Sequence, residues 1–522
     1  MNSDYQDQST VHGVQQSARD GFPEAIGVTI LYHPCPSRIG EIAPLVNIRS
    51  KANAEISRVK PVFRTPDGVP TDALASTLLS RKPAAIQATG DGSVRISCSS
   101  EGTTAVADGS LIRDTVMFPE TDLRRGIVLE LAGCVVLLLH VLDGSTDVRG
   151  ETPGLVGESA AVRLLKEAIK RVADLEVPVL LHGETGVGKE LVASAIHEQS
   201  DRSANPYVCV NMAAIPPSLA TSELFGHVKG AFTGATADRQ GYFVEANGGT
   251  LFLDELGDTP AEVQPLLLRA IENKTVQPIG GKIRDVDVRL VAATDSNLEY
   301  AIEKGIFRRP LLERLSGYTI QIAPLRERRE DIGRLFIHFL AKELEGMGQA
   351  DRLQSSNADK PWIPAHLVAM LARYDWPGNV RQLQNVTRQI AIYNRYTDTF
   401  RIDPVIAKLF EGIDSRKDGV PRNTSVTPLR IRPADLSDEQ IVEAWRRNQH
   451  NFNATASELN VSRTWLNTRL ERIPGIRKAK DIPAEEIRRC AVECDHDLEA
   501  MAARLNVSVR GLQLQMKREK LS

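Results

Sequence analysis

Gly183-Glu184-Thr185-Gly186-Val187-Gly188-Lys189 sets three glycines and a lysine behind the apolar run Val179-Leu180-Leu181 and ahead of the helical pattern of residues 190–197. Glycines at that spacing let successive backbone N–H groups close around phosphate oxygens. The helix start adds its partial positive charge, and Lys189 reaches the β and γ oxygens. The competing reading is a glycine-rich turn with no ligand, which leaves the strand before it and the helix after it without a purpose. Glu190 stands where a general phosphate loop has the Ser or Thr that holds Mg2+, so the metal depends on another acid. Leu251-Phe252-Leu253-Asp254-Glu255 supplies one: Asp254 to coordinate Mg2+ through water and Glu255 to polarise the attacking water. Paired acids at a strand end are often only solvated; behind a phosphate loop they point to hydrolysis of a nucleoside triphosphate.

These residues need a rigid frame. At 522 residues the chain is too long for one core, and three or four domains are expected. Hydrophobic residues at 42%, charged residues at 25% and a net charge of -3 describe a globular protein and exclude a uniformly basic nucleic-acid coat. Residues 1–25 read as a polar, disordered tail without the basic-then-apolar start of a secretory signal, and no apolar run is long enough to span a bilayer. The expectation is therefore cytoplasmic, with no membrane partner. Short Val/Ile/Leu runs broken at Asp91-Gly92 and Asp108-Gly109 predict a β-rich, sandwich-like domain over 26–146, with Ile127–Leu142 as two core strands joined at Ala132-Gly133.

Helical and strand patterns alternate over 152–323, as in an α/β unit with a parallel sheet, and helical patterns alone fill 324–397. A linker is expected over 398–434. The segment "ASELNVS" at Ala456 returns as "AARLNVS" at Ala502, 46 residues on, which predicts two copies of one all-α unit over 435–478 and 479–522. The six cysteines are scattered, as reduced thiols would be. Cys490, Cys494 and His496 cluster, yet small packed thiols suit them better than a metal site, because no second ligand pair follows.

The loop "GETGVGKE" resembles the variant phosphate loop of the sigma-54-dependent transcriptional activators, bacterial enhancer-binding proteins of the AAA+ class, in which the final glutamate is usual. More specific is Gly230-Ala231-Phe232-Thr233-Gly234-Ala235, identical to that family's GAFTGA loop. The resemblance runs from Gly154 to about Asn394. It implies an ATPase whose nucleotide is held by Gly183, Glu184, Thr185, Gly186, Val187, Gly188, Lys189 and Glu190, with Val156 and Gly157, and that needs Mg2+ at Asp254. It further implies Asn211 as a switch coupling Glu255 to the γ-phosphate, Thr294 and Arg381 as sensors, and Arg308 and Arg314 as arginine fingers acting in a neighbour's site. The last point requires a homo-oligomer, a hexamer by resemblance, with Arg309 left to solvent. The GAFTGA loop would touch sigma-54 RNA polymerase, tipped by Phe232 and Thr233; a surface hairpin with Phe232 folded back is the alternative.

Each carboxy-terminal copy reads as a helix-turn-helix for upstream enhancer DNA. Arg463, Thr464, Asn467 and Arg469 are the candidate contacts in the first copy, and Arg510, Gln513, Gln515 and Lys517 in the second, which is equally suited to an interface. From Ile441 onward Lys and Arg outnumber Asp and Glu mildly, 15 against 11. The amino-terminal domain weakly resembles a forkhead-associated domain at Arg38-Ile39-Gly40 and Leu79-Ser80-Arg81. Glu41 and Pro83 replace that family's arginine and histidine, so a degenerate protein-binding sandwich with an unknown partner is the expectation. Two other functions fit parts of the pattern: a DNA-binding repressor whose nucleotide site controls assembly, and an AAA+ motor acting on some other protein.

Overall fold

The computed structural model describes residues 25–45, 53–99, 101–142, 154–354 and 361–411 with Thr152, and in the carboxy-terminal stretch 438–447, 482–494 and several single positions. The chain divides into two units, 1–418 and 419–522.

The first unit opens with a β-sandwich. One sheet has the order β2 (Ile42–Pro44), β1 (Ala25–Tyr32), β10 (Val135–Leu142), β9 (Ile127–Leu131), β6 (Ala105–Ala107), β7 (Ser110–Leu111). The other runs β3 (Ala54–Ile56), β4 (Ala84–Ala88), β5 (Val94–Ser97), β8 (Thr115–Phe118). Both sheets are antiparallel throughout. Asp108 and Gly109 both adopt positive φ between β6 and β7, as a two-residue hairpin loop demands. The first strand starts at Ala25, inside the stretch read as tail; residues 1–24 lie outside the described residues. One short helix, α1 (Glu120–Arg125), precedes β9.

The α/β domain is a five-stranded, all-parallel sheet in the order β12 (Tyr207–Asn211), β15 (Thr250–Asp254), β18 (Arg289–Thr294), β11 (Val179–His182), β19 (Tyr318–Gln321). Parallel strands are covered on both faces, which explains their continuous apolar runs. Helices α2 (Ala160–Val172) and α3 (Lys189–Glu198) belong to one core with Phe252, and α4 (Pro217–Phe225), α5 (Tyr242–Glu245), α6 (Gln264–Asn273), α7 (Leu298–Glu303) and α8 (Arg309–Leu315) to the other. Phe252, on the strand that delivers Asp254 and Glu255, is 1% exposed. Phe252→Ala should cost about 3–5 kcal/mol, the usual range for emptying a buried aromatic site. Thermal unfolding of the variant against wild type measures it.

A helical lid follows: α9 (Ile332–Gly346), α10 (Asp351–Gln354), α11 (Ala365–Arg373), α12 (Asn379–Tyr393) and α13 (Pro404–Leu409). Asp403 caps α13, and Ile406 and Phe410 are buried in the lid core, so the lid extends past the expected boundary at 397. Polar capping residues near 398–403 resemble linker in composition, which is why the sequence reading ends the lid too early. The same core continues into the sandwich: Leu31, Tyr32, Ile39, Val128, Val136 and Leu138 pack against the lid helices.

In the second unit the described residues include helices Asp438–Arg447 and Ala484–Glu493 and an apolar cluster of Ile482, Ile487, Cys490, Ala491, Met501, Leu505 and Leu512. Cys490 and Cys494 lie with their sulfurs 4.0 Å apart against that cluster. Residues 460–462 and 506–508 of the two repeated segments lie outside the described residues, as does His496.

Candidate nucleotide and effector-loop site

The apolar strands β11, β15 and β18 end side by side, with His182 paired to Thr294, so their carboxyl ends present the phosphate loop, Asp254, Glu255 and Thr294 on one edge. Gly186 and Gly188 take φ of 81° and 105°, the left-handed region that the loop's tight return requires. Lys189, the first residue of α3, is buried; its Nζ donates to the Gly183 carbonyl at 3.0 Å and lies 3.8 Å from Glu255 Oε1. Val187 faces the core and Glu190 is exposed in the first turn of α3. Val156 packs at the lid core, and Gly157, at φ 141°, sits against the Asp331 carboxylate.

Glu255 holds a left-handed φ of 53°, backbone strain that aims its side chain back across the strand end. Burial raises its pKa above the ordinary 4.5, Lys189 opposes that, and the neighbouring Asp295 and Asp254 reinforce it. A raised base protonates earlier as pH falls. The acid limb of the hydrolysis rate should therefore lie above 4.5, which a pH profile of kcat/KM reads directly. Asp254 has one carboxylate oxygen, Oδ1, buried without a hydrogen-bond partner. Its other oxygen meets the Asn211 side-chain nitrogen at 3.5 Å. Asn211 thus reaches Asp254 in this structure, and not Glu255 as the resemblance implies. An orphaned buried carboxylate oxygen fits a hydrated cation.

Thr294 is fully buried, its hydroxyl accepting from the Ser296 N–H. Arg381 is exposed, and its backbone N–H donates to the Gly186 carbonyl. The Glu184 side chain turns away from the loop interior and takes two hydrogen bonds from Arg326, at 2.8 and 2.6 Å, and one from Asn379 at 3.1 Å. Arg326 and its neighbours hold that carboxyl down to about 2, so the contact is complete above the ordinary carboxylate range and is lost only as pH falls towards 2. Asn379 also donates to the Thr185 carbonyl, and the Thr185 hydroxyl to Asp295 at 2.6 Å. Arg326, Asn379 and Asp295 are functional candidates that sequence reasoning missed: no local pattern shows that segments 142 and 195 residues downstream converge on Glu184.

Arg308 is exposed at the start of α8, and Arg314 is exposed in an ion pair with Glu272 at 2.8 Å. Arg309 pairs with Glu299. The GAFTGA segment spans the gap between β13 (Gly226–His227) and β14 (Arg239–Gln240). Gly230 and Gly234 adopt φ of 81° and 108°, and the Gly230 N–H donates to Ala235. A second hairpin, β16 (Thr275–Val276) and β17 (Arg284–Asp285), braces it through Val228, whose N–H donates to Ile279. Thr233 is exposed; Ala235 is buried. Phe232 is 39% exposed, in a T-shaped contact with His227 at 5.0 Å between ring centroids, so it lies on the surface and does not fold into the core.

Of the expected DNA contacts, Arg463, Thr464 and Asn467 lie outside the described residues, as do Arg510, Gln513 and Lys517 of the second copy. Arg469 forms an ion pair with Asp438 at 2.8 Å, which engages the guanidinium within the unit. Gln515 is 7% exposed, which corrects its reading as a candidate DNA contact of the second copy. Arg38, in the forkhead-associated-like segment, is engaged by Glu41 at 2.7 Å and by the Asp72 and Ala73 carbonyls. No helix among the described residues is long and apolar enough to cross a membrane. Among them, no group of three or more His, Cys, Asp or Glu is placed to hold a metal ion.

Residues 155–321 match the Sigma-54 interaction domain, and residues 326–418 match the AAA+ ATPase lid domain. The DNA-binding transcriptional regulator NtrC of Escherichia coli K12 is 38% identical over 332 residues, 63% of this chain and 67% of NtrC. The transcriptional regulatory protein ZraR of the same strain is 40% identical over 337 residues, 64% of this chain and 72% of ZraR. A crystal structure of Brucella abortus NtrX in complex with ATP, 35% identical, covers 61% of this chain and 69% of that one at a TM-score of 0.44.

Proposed function

The chain belongs to the sigma-54-dependent transcriptional activators, and from that membership we propose how its residues divide the work. ATP hydrolysis takes place at the edge formed by β11, β15 and β18. The backbone N–H groups of residues 183–188 and the Lys189 ammonium hold the phosphates, and Glu255 accepts the proton of the attacking water. Asp254 would hold Mg2+, which when bound would neutralise negative charge on the phosphates. Asn211 and Thr294 border the same edge and register whether the γ-phosphate is present, and Arg381 does so from the lid.

Arg308 and Arg314, both exposed, neutralise developing charge in a neighbouring copy's site, the role that arginines at these motif positions have in the family. This makes the working form a ring, taken here as a hexamer. The ring presents its 230–235 loops to sigma-54 RNA polymerase and is recruited by the carboxy-terminal unit to upstream double-stranded DNA, through Arg463, Thr464 and Asn467. The amino-terminal sandwich is a degenerate forkhead-associated-like module. Arg38 is tied to Glu41, which supports binding of a partner by some means other than a phosphothreonine at that arginine.

The observation that carries this reading is the position of Phe232 and Thr233, exposed on a glycine-flanked loop between β13 and β14. It is tested with purified protein, sigma-54 RNA polymerase and a promoter fragment with the upstream site. Open complexes, read by permanganate reactivity of unpaired thymines, should form with ATP and not with ADP. Open complexes that form equally without hydrolysis would refute the motor assignment.

A further inference from the structure

Gly333, in the first turn of α9, faces β1 so closely that a Cβ would overlap the Leu31 carbonyl oxygen. Helix and strand meet backbone to backbone, an approach that only glycine permits. Around this point Tyr32 donates from its hydroxyl to the Ile363 carbonyl at 2.7 Å, fully buried. Leu31, Val128, Val136 and Leu138 from the sandwich share one core with Ile332, Phe336 and the rest of the lid. Arg125, the last residue of α1, donates to Asp375 at 2.7 Å, and the same carboxylate oxygen accepts from buried Arg329 at 2.9 Å. Asp375 directly precedes Trp376, whose φ of 49° begins the strained turn that ends at Asn379, φ 52°. Asn379 is the residue that donates to Glu184 and to the Thr185 carbonyl in the phosphate loop.

We propose that the amino-terminal sandwich is a positioning element of the nucleotide site: docked on the lid through the Leu31–Gly333 contact, Tyr32 and Arg125, it sets how the 375–379 turn and Arg326 grip Glu184. Close-packed contacts transmit displacement rather than absorb it, so lid and sandwich move as one body. A ligand or partner that favours one lid position then changes nucleotide affinity, and nucleotide changes that partner's affinity by the same factor. Tyr32 and Arg125 act through the lid and touch no nucleotide, so their loss alters affinity and not the chemical step.

The inference rests on the ATPase assignment above, and the experiment separates the two. It uses the full chain: wild type, Gly333→Val, and the milder double variant Tyr32→Phe with Arg125→Ala. Binding of a fluorescent ADP analogue gives Kd, phosphate release gives KM and kcat, and hydrogen exchange at β1 and α9 shows whether the sandwich is still seated. Expected are faster exchange at both elements and a rise of roughly fivefold or more in Kd and KM, the low end of ordinary site-to-site coupling, with kcat at saturating ATP within about twofold of wild type. Released sandwich with unchanged Kd and KM would overturn the proposal, and so would a fall in kcat alone. Should Gly333→Val fail to accumulate as folded protein, the double variant carries the test, and unchanged affinity in it counts against the proposal. Wild-type protein that binds no nucleotide would instead count against the ATPase assignment.

Discussion

Glu255→Gln in the full chain lowers kcat for ATP hydrolysis by about 10²- to 10⁴-fold, the span expected when a positioned general base is lost, while nucleotide affinity stays near wild type. Glutamine keeps the size of the side chain but cannot take a proton. Its position 3.8 Å from the Lys189 ammonium is kept, so the phosphate contacts are not disturbed. Lys189→Ala differs in kind: it removes the cation that meets the phosphates and weakens binding itself. Phosphate release measured beside fluorescent-nucleotide binding distinguishes the two. A Glu255→Gln protein turning over within about tenfold of wild type would fall outside that span and move the base to another carboxylate, with Asp254 the next candidate.

Phe232→Ala gives the opposite pattern: hydrolysis is kept and open-complex formation falls by roughly 30-fold or more, the loss of one hot-spot contact of about 2 kcal/mol. Thr233→Ala should behave in the same direction. The ring of Phe232 is exposed beside His227 and leaves the sheet core intact when removed, so stability is not the cause. Open complexes at wild-type yield with either variant would show that residues 230–235 do not meet the polymerase.

The nucleotide edge was legible because its chemistry is local. A phosphate loop must lie between a buried strand and a helix start, and all of Val179–Glu198 shows that pattern within one stretch of chain. The strand ends of β15 and β18 were readable for the same reason: apolar runs that stop at Asp254 and Thr294. The partners of the Glu184 side chain were not legible, because Arg326 and Asn379 come from the lid and only tertiary packing brings them in. The sandwich could be expected from its turn signals, but its seat on the lid could not. Leu31, Val136 and Leu138 alternate with core-facing neighbours in β1 and β10, and a strand buried on both faces reads as a plain apolar run whatever covers its second face. The lid boundary failed where polar capping residues have the same composition as linker.

The glycine at 333 bears on how regulators of this kind are assembled from parts. Recombination that exchanged the first 146 residues for a foreign input module would leave the lid with an unclothed greasy face shaped to one particular strand. A newcomer without a matching backbone ridge would have to be tolerated as loose cargo, or the lid surface rewritten with it. Inheritance of this sandwich and this lid is therefore expected to be joint, and their sequences should drift together.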